Sequence, residues 1–171
     1  VFLIVFSTIT ACDVRNVEFI SPQEQKTIQV NSNNPVIKGF RYINFTETTN
    51  RAELKELMNV DPKRTEWCAA FVNAVLEESG IPNNNDHKYP LTARAFLDWG
   101  ISVSKENIEP GDLVVFPRGN QVWQGHVGIF IKEANIDGVK YYYILGGNQS
   151  NRVSIALYRA NRALGIRRYS L

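Results

Sequence analysis

The spacing of the apolar residues changes once along this chain, and that change limits the folds it can adopt. Near residue 70 they recur as on one face of a helix: Cys68, Phe71, Val72, Val75 and Leu76. After residue 110 they form short runs separated by turn residues, which is typical of strands: 113–116, 126–131, 141–145, 153–158 and 164–169. Helices followed by an antiparallel meander predict an α+β domain.

Two further helices are predicted on either side of the Cys68 helix. Thr49-Asn50 can cap a helix over about residues 51–59, with its apolar residues on one face. A shorter helix is predicted over residues 93–99 and ends at Gly100. Residues 135–138 predict the turn of a hairpin between the second and third strands.

The first residues have the pattern of an export signal. Residues 1–6 are almost purely apolar, and Ile9-Thr10-Ala11-Cys12 resembles a bacterial lipobox, in which the signal is cut before a cysteine that then carries lipid. We therefore expect a signal-peptide remnant over residues 1–11, and lipidated Cys12 with a polar tether over 12–50. The folded domain is expected over 51–171. The alternative is a buried N-terminal strand that ends in Cys12, and residues 36–40 could dock on the domain.

This reading predicts an exported bacterial lipoprotein, anchored to a membrane and facing the periplasm or the cell wall. Several acyl chains hold a protein firmly at a membrane, where one chain does not. The net charge of +2 with scattered basic residues argues against a nucleic-acid partner. Two histidines and two cysteines without close spacing form no recognisable metal site, and no glycine-rich phosphate loop is present, so no cofactor is expected.

Cys68 is the first candidate for a chemical role. If Cys12 carries lipid, Cys68 is the one thiol left in an exported chain and has no disulfide partner. At the start of a helix, backbone N–H groups stabilise a thiolate, which is the nucleophilic form of cysteine. The alternative is that Cys68 is a small core residue, as most free cysteines are.

His126 is the natural general base for such a cysteine. It lies at a predicted strand start between Gly125 and Gly128, which would let another segment approach its ring closely. A third group should hold the second ring nitrogen and so fix the tautomer. Asn148 is the preferred candidate for that place. The weaker candidates are Gln149, Asp112 and Glu66, and Gly-Gly-Asn-Gln could also be a simple turn.

Four motifs in this order together resemble the NlpC/P60 and CHAP superfamily of cell-wall hydrolases, over residues 51–171. They are Trp67-Cys68-Ala69-Ala70-Phe71-Val72-Asn73, Pro110-Gly111-Asp112-Leu113-Val114-Val115-Phe116, Gly125-His126-Val127-Gly128 and Leu145-Gly146-Gly147-Asn148-Gln149. The resemblance is greatest to a CHAP-like branch found in phage lysins. It implies a papain-like fold, with the cysteine on a helix that packs on an antiparallel sheet carrying the histidine.

The resemblance also implies hydrolysis of amide bonds in peptidoglycan, with Cys68 as nucleophile, His126 as base and Asn148 as the third, polar residue. Many CHAP members have an acidic residue shortly before that asparagine, where this chain has Gly146. The candidates for a substrate groove are Trp67, Trp123, Gln149 and the loop 83–89. The alternatives are a non-catalytic lipoprotein that binds wall peptides or a partner protein, and an acyltransferase or effector-type amidase with the same dyad.

Overall fold

The computed structural model describes residues 33–170, which form three α-helices, two short 3₁₀ helices and six strands. The α-helices are α1 (Pro35–Phe40), α2 (Arg51–Met58) and α3 (Cys68–Glu78), and the 3₁₀ helices cover Ala93–Asp98 and Ala160–Arg162. The strands are β1 (Ile101–Ser102), β2 (Leu113–Pro117), β3 (Gly125–Ile136), β4 (Val139–Gly146), β5 (Ser154–Arg159) and β6 (Gly165–Arg168). The predicted α+β class is confirmed. The predicted signal remnant, Cys12 and most of the tether lie outside the described residues.

The described end of the predicted tether folds with the domain. Asn34 caps α1 by accepting a hydrogen bond from the Val36 N–H at 2.8 Å, and Val36 is buried. Gly39 lies so close to the sheet that a Cβ there would meet the Leu145 side chain at 2.7 Å. The docking of residues 36–40, given above as an alternative, is therefore what the structure shows. The fold begins before the expected boundary at residue 51.

Helix α3 is buried on all sides over its first nine residues, from Cys68 to Leu76. The sequence pattern predicted one apolar face, but α1, α2 and the sheet surround this helix. The small residues Ala69, Ala70 and Ala74 let these elements approach its remaining faces. A helix held in this way positions its first residue, Cys68, rigidly.

The six strands form one antiparallel sheet in the order β1-β6-β2-β3-β4-β5. Strands β3 and β4 are longer than predicted because their turn consists of Asp137 and Gly138 alone, with φ of 51° and 76°. Two left-handed residues of this type match the twist of a hairpin. The β2–β3 register places Phe116 opposite His126. The two-residue strand β1 was not predicted.

Each face of the sheet carries an apolar cluster. The helices pack on one face through β-sheet residues that include Val115, Val127 and Ile129. The other face holds a smaller apolar cluster that includes Phe116, Phe130 and Tyr142. Across residues 33–170 no helix is long and apolar enough to cross a membrane.

Candidate active site

Cys68 is the first residue of α3 and is 4% exposed. Burial raises the pKa of its thiol, since a thiolate loses its solvation there. The backbone N–H groups of Val127 and Ala69 and the charge of Arg118 act in the opposite direction without cancelling it. The geometry therefore favours a neutral thiol in the resting protein. The nearby backbone N–H groups can stabilise negative charge on the sulfur when it develops.

His126 lies near the start of β3 and is 1% exposed. Its ring stacks on that of Tyr158, with centroids 5.3 Å apart. Burial and, to a smaller extent, the nearby Arg118 charge together lower the pKa of His126 to about 3, although the hydrogen bond to Gln149 opposes both. The imidazole is therefore neutral at pH 7 and can accept a proton.

The hydrogen bonds around Gln149 identify which ring nitrogen of His126 can accept a proton. The Gln149 amide nitrogen donates to the Ser154 carbonyl oxygen at 2.6 Å and lies 3.4 Å from the Ile144 carbonyl oxygen. These acceptors turn the Gln149 carbonyl oxygen toward His126 Nε2, at 3.1 Å. Because a carbonyl oxygen only accepts, Nε2 must carry the proton and Nδ1 the lone pair. His126 Nδ1 is buried and has no hydrogen-bond partner, so its lone pair is free for a proton.

Gly146 leaves the space in which this hydrogen bond forms. A Cβ at residue 146 would lie 3.2 Å from His126 Nε2 and 3.2 Å from the Gln149 carbonyl oxygen. The resembling family has an acidic residue at this position in many members. In this chain the side chain of Gln149 fills the space beside Gly146 and supplies an oxygen to the imidazole.

Asn148 does not contact His126, although the sequence favoured it for the orienting role. Its side-chain amide nitrogen donates to a Glu66 carboxylate oxygen at 2.6 Å, and its backbone carbonyl oxygen accepts from Arg118 Nη2 at 2.7 Å. The backbone of Asn148 is left-handed, with φ of 55°. The turn there sends the side chains of residues 148 and 149 to different partners. The weaker sequence candidate, Gln149, holds the imidazole instead.

Cys68 and His126 meet at the start of β3. The N–H that reaches the Cys68 sulfur belongs to Val127, the residue after His126. The Arg118 charge acts on both Cys68 and His126. Tyr158 stacks on His126, and a negative charge on Cys68, when it forms, raises the pKa of Tyr158. The structure therefore places a thiol at a helix start beside the strand that carries an imidazole in a defined tautomer, and nucleophilic catalysis by cysteine uses these two groups.

A groove of about 540 Å³ is lined by Cys68, and His126 is not part of its wall. Its walls are formed by α3, the segment before the 3₁₀ helix, the β2–β3 connection and the loop after β4: Glu66, Cys68, Leu91, Thr92, Ala93, Arg118, Gly119, Trp123, Gln124, Gly125, Asn148, Ser150 and Asn151. Trp123 lies in this wall and is 63% exposed. No residue of the predicted loop 83–89 is part of the wall. The next wall residue along the chain is Leu91, two residues after that loop.

The other two predicted groove residues are buried instead. Trp67 is fully buried, its indole N–H donates to Glu47 at 3.3 Å, and its ring packs beside Gly147. The residue before a helix that is buried on all sides has no free surface to offer a substrate. Gln149 is 5% exposed and contacts His126 rather than the groove.

Arg118 is the site residue that sequence reasoning missed. It follows β2 directly, and Pro117 pairs with Gly125, so the register carries residue 118 to the start of the His126 strand. That β2–β3 pairing is a possible signal in the sequence, because a charge just after one strand lies beside the first residues of its antiparallel partner. Asp112, a weaker candidate for orienting the histidine, instead pairs with Arg168 at 2.7 Å and lies apart from the groove. Among residues 33–170 no group of three or more His, Cys, Asp or Glu side chains is placed to hold a metal ion.

The fold is shared with solved NlpC/P60 proteins. An NlpC/P60 family protein from Bacillus cereus ATCC 10987 superposes with a TM-score of 0.50 at 17% identity, over 81% of this chain and 40% of that one. A protein from Staphylococcus aureus subsp. aureus Mu50, described as similar to a lipoprotein of the NLP/P60 family, gives a TM-score of 0.50 at 19% identity. That superposition covers 94% of this chain and 45% of the other. The chain thus spans less than half the length of either protein.

The comparison of sequences agrees with the fold. No curated protein matches this chain. The CHAP domain family matches residues 60–148, which is just over half of the chain and runs from the segment before α3 to Asn148. The resemblance drawn from the four motifs is therefore confirmed, and the chain belongs to the CHAP domain family, within the NlpC/P60 type of fold.

Proposed function

We propose that this protein is a cysteine hydrolase that cleaves amide bonds of peptidoglycan, with Cys68 as nucleophile and His126 as general base. Membership of the CHAP family supports this class of activity and substrate. The observation that carries the assignment of residues is the hydrogen bond that His126 Nε2–H donates to the Gln149 side-chain oxygen, which leaves the buried Nδ1 lone pair without a partner. Gln149 takes the orienting role in this proposal.

The reaction starts from a neutral pair, because burial favours the uncharged forms of both Cys68 and His126. As the sulfur attacks the amide carbonyl carbon, the thiol proton moves to His126 Nδ1. The carbonyl oxygen becomes negatively charged and accepts hydrogen bonds from backbone N–H groups at the start of α3. When the C–N bond breaks, Nδ1–H protonates the leaving amine. Water then attacks the thioester carbonyl carbon as His126 Nδ1 takes one of its protons. The C–S bond breaks, the proton on Nδ1 passes to the Cys68 sulfur, and the acyl group leaves as a carboxylic acid.

The membrane anchor is part of the same proposal. A lipid on Cys12 would hold the hydrolase at a bacterial membrane, facing the periplasm or wall where its polymer lies. Incorporation of labelled fatty acid into the wild type and its loss in Cys12→Ser would support the anchor. Equal labelling of the two proteins would contradict it.

The test of the activity is incubation with purified peptidoglycan of several chemotypes, followed by mass spectrometry of the released fragments. The wild type should release fragments whose masses identify the cleaved amide, and Cys68→Ala should release none. Asn83→Ala is a matched control outside the groove and should release the same fragments as the wild type. A folded wild type that releases nothing from any chemotype, yet sediments with the polymer as Cys68→Ala does, would contradict the hydrolase. It would favour the non-catalytic binding lipoprotein.

A further inference from the structure

Arg118 has donor groups that nothing in residues 33–170 satisfies. Its guanidinium has five N–H donors, and the structure gives an acceptor to Nη2 alone, the Asn148 carbonyl oxygen at 2.7 Å. Nη1 is buried without a hydrogen-bond partner. In the described part of the chain no carboxylate lies within 4.0 Å of this side chain, whereas Arg51 has one such partner and Arg168 has two.

A half-buried guanidinium without a counter-ion is unfavourable, since it has lost part of its hydration and gained no pairing in return. Its position makes the deficit informative. Arg118 and Cys68 line the same groove, and the Arg118 charge acts on both Cys68 and His126, so a ligand bound in the groove at Cys68 has a guanidinium in the same wall. An anionic group on that ligand would restore the missing interaction. A carboxylate fits best, because guanidinium and carboxylate match as planar partners.

The charges in the groove wall can orient a bound substrate. Glu66 and Arg118 are the two side chains of opposite formal charge in its wall. Asn148 holds both of them, Glu66 through its side-chain amide and Arg118 through its backbone carbonyl oxygen. A carboxylate is attracted at Arg118 and repelled at Glu66, so these two charges favour one orientation of the substrate.

We propose that Arg118 binds a carboxylate that the substrate peptide carries beside the scissile amide, and that Asn148 is the positioning residue that holds Arg118 in place. This inference rests on the proposed hydrolase function. It assigns to this chain a preference among wall peptides, in favour of a free carboxylate over the corresponding carboxamide.

The test compares two synthetic peptides built around the amide that mass spectrometry identifies, identical except that one bears a free carboxylate and the other a carboxamide. For the wild type, kcat/KM should be about ten- to a hundredfold higher for the acid, which is the usual range for a hydrogen bond to a charged group. Arg118→Met should lose a similar factor on the acid peptide, mainly through KM, and should cleave both peptides alike. Arg118→Lys keeps the charge without the planar fork and should retain part of the preference. Arg64→Met removes an exposed arginine outside the groove and should behave as the wild type.

The outcomes separate the inference from the function on which it rests. Cleavage of neither peptide by the wild type would contradict the hydrolase. Equal cleavage of both peptides by the wild type would leave the hydrolase standing and overturn the inference. An equal loss of kcat on both peptides in Arg118→Met would assign Arg118 to the reacting atoms and also overturn it. If Arg118→Met does not fold, binding of both peptides to Cys68→Ala by calorimetry decides, with tighter binding of the acid expected.

Discussion

At the scale of single residues, two adjacent amides perform different tasks. Asn148 joins Glu66 and Arg118 across the groove wall, whereas Gln149 turns its carbonyl oxygen to His126 Nε2. An orienting group raises the fraction of imidazole in the reactive tautomer and aligns its lone pair. A group in the groove wall affects instead how substrate binds.

Substitution should separate these two tasks. Gln149→Leu removes the oxygen that holds His126 and should lower kcat by about a hundredfold or more, with little change in KM. Gln149→Glu restores an acceptor and should recover part of the rate. Asn148→Leu should raise KM and leave kcat closer to the wild type. Steady-state kinetics on one soluble wall peptide measures all three, and a larger kcat loss in Asn148→Leu would return the orienting role to Asn148.

At the scale of elements, the end of β4 combines a requirement for core packing with one for the hydrogen bond between His126 and Gln149. A Cβ at Gly147 would lie 2.6 Å from the Phe71 Cβ and 2.7 Å from the Trp67 ring, both in the buried core. A Cβ at Gly146 would meet His126 and Gln149 at 3.2 Å instead. Adjacent glycines at one strand end therefore face the core in one case and the His126–Gln149 hydrogen bond in the other.

Alanine should mainly affect stability at position 147 and mainly affect kcat at position 146. Gly147→Ala overpacks the core and should lower the free energy of unfolding by about 1–3 kcal/mol. Gly146→Ala should lower kcat strongly and change stability less, since the displaced groups are the ends of two side chains. Denaturant unfolding and peptide kinetics on both variants check this. Similar stability losses with similar kcat would contradict the division.

At the scale of the whole molecule, His126 makes stability depend on pH. Its pKa is about 3 in the fold, against about 6.5 in an unfolded chain, so between these values the unfolded state binds the extra proton. The free energy of unfolding should therefore fall as pH falls from 6.5 toward 3, and His126 should have no such effect above pH 7. The difference between wild type and His126→Asn should decrease by up to about 1.4 kcal/mol per pH unit in that window. Urea unfolding at several pH values measures it, and parallel curves would contradict the burial of a neutral imidazole.

The sequence alone determined the α+β class, the helix that starts at Cys68, most strands and the family, because these depend on local apolar spacing and on motifs that are continuous in the chain. It also identified Cys68 and His126 as candidates, because a thiol can act as a nucleophile and an imidazole as a base wherever they lie in the chain. The length of the β3–β4 hairpin was underestimated, since the turn needs only two of the four residues that have turn character.

Only the tertiary structure decided what depends on distant segments meeting. The partner of His126 is set by a left-handed residue that sends Asn148 and Gln149 in different directions, and by acceptors on β4 and β5 that orient the Gln149 amide. Trp67 lies in the core rather than in the groove because α1, α2 and the sheet enclose α3. Arg118 reaches the site through the β2–β3 register. Side-chain direction and burial are properties of the packed fold, and local sequence pattern does not contain them.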